Sequence, residues 1–119
     1  MNIDNVELEE HEAFALVVLA KCMIHADGVV SKDEMLDLMS LGEVLGTERL
    51  MRSLEASASV YRDMNAVAQI AARVDRYDAR VLIFVLLEEL AKGDGDEAGV
   101  EMRFLKDLQN FWELGYADR

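Results

Sequence analysis

The sequence predicts an all-α fold, a compact single-domain bundle of six to seven helices. Proline is absent, the glycines lie mostly at apparent segment ends, and Ala, Leu, Glu, Met and Arg dominate the composition, a combination that favours helix over strand. The 119 residues suit one domain with one core. An apolar share of 52%, with runs such as Phe14 to Leu19 and Val81 to Leu87, excludes a disordered acidic tail.

A first helix is expected from Asn5 to Ala26, with Glu7, Glu9, Glu10 and Glu12 in its early turns, where they complement the helix dipole. From Ala13 to Ala20 it is apolar all round, the pattern of a helix in the middle of a bundle. Asp27-Gly28 breaks it. Ser31 is the expected N-cap of a second helix, Glu34 completes the capping-box pattern, and Met35, Leu38, Met39, Leu41 and Leu45 form its apolar stripe. Gly46 fits a C-terminal stop and Thr47 the cap of a third helix carrying Leu50, Met51 and Leu54. The stretch from Ser57 to Asp63 is ambiguous. A fourth helix is expected from Met64 to Val74 and a fifth from Asp78 to Ala91, the latter again apolar on every face between Val81 and Leu87. Gly93-Asp94-Gly95 ends it. A last helix is expected from Glu97 to Leu114, carrying Met102, Leu105, Leu108, Phe111 and Trp112; Trp112 with Phe111 and Met102 reads first as core or packing, with a partner-binding patch as the alternative, and the methionines read as core filling.

Charge narrows the function classes. With 24 acidic and 12 basic residues the formal net charge is -12. Nucleic acid is therefore a poor partner, because binding it requires Lys and Arg to neutralise phosphates, and an anionic membrane surface is disfavoured for the same reason. Basic proteins and divalent cations are attracted instead. The lone Cys22, among Lys21, Met23 and Ile24, reads as a buried structural thiol. The start MNIDNVELEEHE lacks the basic region and apolar stretch of a signal peptide. No apolar run approaches the ~20 residues that span a bilayer, so no membrane insertion and a cytoplasmic location are expected.

The chain also lies on itself when shifted by 67 residues, an internal pseudo-repeat. Leu16 falls on Ile83, Val18 on Val85, Leu19 on Leu86, Met23 on Leu90, Asp27-Gly28 on Asp94-Gly95, Glu34 on Glu101, Met35 on Met102 and Leu38 on Leu105. Both halves read as buried helix, Asp-Gly turn, acidic first turn, amphipathic helix.

The segment Ile24-His25-Ala26-Asp27-Gly28-Val29-Val30-Ser31-Lys32-Asp33-Glu34, with its echo Leu90-Ala91-Lys92-Gly93-Asp94-Gly95 and Glu101, resembles the TerB-like tellurite-resistance family. The signature of that family is an apolar helix running into Ala-Asp-Gly and an acidic helix start, used twice. The resemblance covers nearly the whole chain, including Arg80 before the second loop. The second copy departs at Lys92-Gly93, where an Ala-rich approach is usual, and at Glu97, where an apolar residue is usual. The resemblance implies a helical fold, cytoplasmic residence, association with resistance to tellurite and other stresses, metal binding through the acidic positions by analogy, and no catalytic activity.

Asp27, Glu34, Asp94 and Glu101 are the candidate metal ligands, with Asp96 and Glu97 beside them. Their spacing is that of the second half of an EF-hand loop, but Met23 and His25, or Leu90 and Lys92, stand where the first carboxylates belong. A true EF-hand is therefore rejected. A cation shared between the two loops would need the fold to bring them together. The competing account is structural: Gly28 and Gly95 allow the chain to turn, Asp accepts turn amides, and Glu34 caps a helix. His25 and His11 have no Ser or Cys nucleophile at motif spacing, and the adjacent Glu88 and Glu89 point apart on a helix, so a hydrolytic centre is disfavoured. The sequence thus points to a non-catalytic interaction module with a basic protein partner. The alternative is a divalent-metal sensor or buffer, and a homo-oligomer is compatible with either.

Overall fold

The computed structural model describes residues 7–24, 32–58, 60–93 and 100–115. Among them are seven α-helices and no strand: α1 (Glu10–Ile24), α2 (Lys32–Met39), α3 (Gly42–Leu45), α4 (Thr47–Ala56), α5 (Met64–Ala72), α6 (Tyr77–Gly93) and α7 (Val100–Phe111), with a 3-10 turn at Val60–Arg62 between α4 and α5. The all-α bundle is as the composition predicts. No described helix is long and apolar enough to cross a membrane.

The other elements are arranged around α1. Every residue of α1 from Glu12 to Ile24 is buried except Phe14 and Lys21, which are partly covered. It packs against α2, α4, the 3-10 turn, α5, α6 and α7. A helix that is apolar on all faces has no solvent side, so it must be surrounded. Leu16, Val17, Val18 and Leu19 point in four directions from one turn and are all at most 2% exposed. α6 contributes Ile83, Phe84 and Leu87 to the same core. It begins at Tyr77, 67 residues after α1 begins at Glu10, and α7 follows α6 as α2 follows α1.

The helix boundaries differ from expectation in instructive places. α1 begins at Glu10 rather than Asn5, because Glu9 takes the N-cap position. The Glu9 carbonyl accepts the first helical bond, from Ala13 N, while the Glu12 carboxylate accepts the Glu9 N–H at 2.7 Å. This is the side-chain half of a capping box, with Glu at the third helical position. The second helix does not run unbroken to Leu45. Its ladder tightens to three-residue bonds at Leu41, Glu43 and Val44, and the chain restarts as α3. Thr47 is not a side-chain cap: Gly46 stands before α4, at φ 89° and ψ 144°, and no side-chain hydrogen bond caps that helix. The ambiguous stretch after Ser57 forms the 3-10 turn and then Asp63, whose Oδ1 accepts the amides of Asn65 and Ala66 and caps α5.

The last helix stops at Phe111, short of Leu114. Leu114 N donates to the Gln109 carbonyl and Glu113 N to the Asn110 carbonyl, the paired bonds of a Schellman motif. Glu113 occupies the left-handed position at φ 58° that glycine normally fills. Trp112 and Leu114 are core, as expected for Trp112, whereas Phe111 is exposed. The expectation that methionines fill the core fails for most of them. Met23 is buried, but Met35, Met39, Met51, Met64 and Met102 are exposed. Each lies on an amphipathic helix whose Leu, Val or Ala neighbours already cover α1.

Two backbone positions should respond to substitution with opposite signs. Gly46→Ala places a Cβ on a conformation that only glycine adopts readily, and is expected to cost about 1–3 kcal/mol in chemical denaturation. Glu113→Gly relieves a left-handed glutamate and is expected to stabilise by up to about 1 kcal/mol.

Candidate functional site

The sequence-predicted ligands flank the two hinges. Asp27, Asp94, Asp96 and Glu97 lie outside the described residues, as do the proposed cap Ser31, His25 and the hinge glycines Gly28 and Gly95. Glu34 is the third residue of α2 and Glu101 the second of α7, so each begins a helix just after its hinge. α1 packs against α2, α6 and α7, and α2 also packs on α6, so the helices entering and leaving both hinges share one core.

Elsewhere the polar side chains concentrate at the N-terminal end of α1. Glu12 is fully buried. Arg76, in the segment between α5 and α6, donates from Nε to Glu12 Oε2 at 2.8 Å and from Nη2 to Oε1 at 2.5 Å. The same Nη2 reaches the Glu7 carbonyl at 2.7 Å. The guanidinium beside it holds the Glu12 carboxyl below its ordinary range, against the opposing effect of burial, with the Glu9 amide helping. α4 adds two further arginines. Arg49 Nη1 donates to the Leu8 carbonyl at 2.7 Å and Arg52 Nη2 to Glu10 Oε1 at 2.8 Å. Three arginines from two distant elements thus clasp the segment that enters α1.

Glu9, His11 and Glu12 present ligand atoms within 4.8 Å of one another, the spacing of a metal site. The chemistry argues against that use. Both Glu12 oxygens already receive hydrogen bonds from Arg76, so a cation there would have to displace a guanidinium from a charge-balanced, buried carboxylate. His11 meets Glu9 at 3.8 Å with both side chains exposed, a contact of little strength.

At the other end of α4, Lys21 Nζ lies 3.4 Å from Ser57 Oγ and 4.8 Å from the Tyr61 ring centre. Arg62 approaches the same ring and donates to Tyr61 Oη at 3.1 Å. Burial lowers the Lys21 pKa. A lysine close to a serine suggests a nucleophile pair, but Ser57 is fully buried and its hydroxyl bonds the Leu54 carbonyl at 3.1 Å. The arrangement places a cation at the C-terminal end of α4, where the helix dipole favours one. Cys22 is buried, as expected, with Sγ 3.8 Å from Met64 Sδ, and desolvation pushes its thiol up and away from the reactive thiolate.

One feature was invisible to single-helix patterns. α5 and α7 both rest on α1 and scarcely on each other. Between them runs an apolar groove with Leu19 of α1 in its lining. Its α5 wall is Met64, Val67, Ala68 and Ala71, one stripe along the helix. No family model, curated protein or solved structure matches the chain.

The Glu12 clasp makes a test with a defined sign. Because its carboxyl is depressed in the folded state, the stability it contributes is full above the unfolded carboxyl value near ~4.3 and is lost as pH falls through the lower folded value. Glu12→Gln is expected to destabilise by about 2 kcal/mol at neutral pH. The gap between variant and parent should narrow as denaturation is repeated at progressively lower pH below that value. A gap that stays constant down to strong acid would contradict an ionised Glu12.

Proposed function

We propose that this chain is a non-catalytic, cytoplasmic, TerB-like domain that acts as an interaction module in a tellurite or stress-resistance system, engaging a basic partner surface through its acidic Asp-Gly hinges. The observation that carries the proposal is how charge is distributed. Of 12 basic residues, Arg49, Arg52 and Arg76 are spent on the clasp, and Lys21 and Arg62 on Tyr61. Among the described residues most acids face outward, Glu43, Glu48, Glu55, Asp75 and Glu89 included. The outer field therefore follows the net charge of -12, which attracts and orients basic partners.

A second reading is a divalent-metal sensor or buffer using Asp27, Glu34, Asp94 and Glu101. The recurrence of Asp-Gly with Glu at the same spacing in both halves favours it.

Thermal melting with millimolar Ca²⁺, Mg²⁺, Mn²⁺ or Zn²⁺ separates the two. An ion present at about 100 times its Kd would add about 2.7 kcal/mol, a rise of roughly 10 °C for a chain of this size. The interaction reading expects no such rise, together with retention of a basic protein by the parent chain on affinity capture and its loss with Asp27→Asn and Asp94→Asn combined. A rise that Asp27→Asn abolishes would replace it with the metal reading.

A further inference from the structure

The groove between α5 and α7 has the construction of a helix-docking site. Its second wall is Phe104, Asp107, Leu108 and Phe111 of α7, spaced i, i+3, i+4, i+7 like the α5 wall opposite. Each wall therefore offers two turns of helix, about 10 Å of continuous contact. The groove is preformed. Trp112, buried just beyond α7, donates its indole N–H to the Ala71 carbonyl at 3.0 Å and ties the end of α7 to the last turn of α5. A site whose walls are already fixed loses little on closing around a ligand.

Size and charge narrow the occupant. The cavity holds about 170 Å³, below the 300–1,000 Å³ typical of small-molecule sites. It suits one or two anchor side chains of a larger partner. Met64 and Phe111 stand 60% and 51% exposed at its rim, large apolar surface with nothing over it among the described residues. Asp107 is the only charged group in the lining, and its side chain makes no hydrogen bond or ion pair among the described residues. Lys106, the neighbouring cation, lines a different cleft, between α6 and α7. A second copy of this chain fits poorly. Each copy carries -12, and α2, whose Met35, Leu36 and Met39 are exposed, also carries Asp33, Glu34 and Asp37.

We propose that the α5–α7 groove binds a basic amphipathic helix of a partner protein, whose apolar residues at i, i+3 or i+4, and i+7 fill the groove while a Lys or Arg meets Asp107. None of the residues that line this groove belongs to the hinge segments, so the inference stands independently of the function proposed above.

The test uses the full chain with its methionine methyls labelled for NMR and three fluorescein-tagged probes. These are a Leu/Lys amphipathic helix with leucines at the stated spacing, its Leu/Glu counterpart, and a scrambled Leu/Lys peptide of identical composition. The Leu/Lys helix should bind and shift the Met64 methyl, leaving Met35, Met39 and Met51 in place. Ala68→Glu, at an exposed position in the wall, should weaken binding at least ~10-fold by anisotropy. Asp107→Lys should weaken the Leu/Lys helix and favour the Leu/Glu one. Equal binding of the scrambled peptide would reduce the effect to bulk charge and overturn the proposal. So would shifts confined to Met35, Met39 or Met51, or a Met64 signal that moves with protein concentration in the absence of peptide, which would give the groove to a second copy.

Discussion

The structure depends on the need to bury α1 on every side. A helix that is apolar all round gains nothing from a surface position, and each large aliphatic side chain it withdraws from water is worth about 1.5–3 kcal/mol. The described helices that pack on α1 are α2, α4, α5, α6 and α7, with the 3-10 turn. Except for α6, which is nearly as apolar, these neighbours have one face turned inward and one left over. The leftover faces, not the core, give the molecule its character: the acids outside, the exposed methionines, and the groove that opens where α5 and α7 fail to meet.

Packing around one central helix also explains where the polar groups had to go. At the entry to α1, Glu12 is fully buried while Glu9, Glu10 and His11 beside it are exposed. A buried carboxylate is tolerable only with its charge and hydrogen bonds met, and Arg76 and the Glu9 amide meet them. Arg49 and Arg52 then tie α4 to the same segment. The exposed members of this set add little individually, because exposed pairs are screened by water. What they do is fasten α4 and the segment before α6 to the entry of α1.

The fold class was legible because it follows from local chemistry: no proline, glycines at breaks, and two segments apolar over consecutive turns. The helices leading into and out of both Asp-Gly hinges could be placed to within a few residues for the same reason. The boundary at α1 was missed because a glutamate three residues inside the helix does the capping, where a Ser or Thr at its start is the usual signal. Arg76 was missed because it lies 64 residues from Glu12 and nothing local links them. The methionines were assigned to the core because periodicity identifies a stripe but not which of two overlapping stripes faces inward. In α5, Val67 and Ala71 serve both faces, the core and the groove. Of the candidate metal ligands, only the helical positions of Glu34 and Glu101 fall within the described residues.

Amide hydrogen exchange on the native protein tests the central role of α1 most directly. If α1 is the sheathed centre, its amides from Ala13 to Met23 exchange only through global unfolding, with protection equal to the full unfolding free energy, while those of α4 open locally and sooner. Exchange of α1 through local opening faster than α4 would contradict the account.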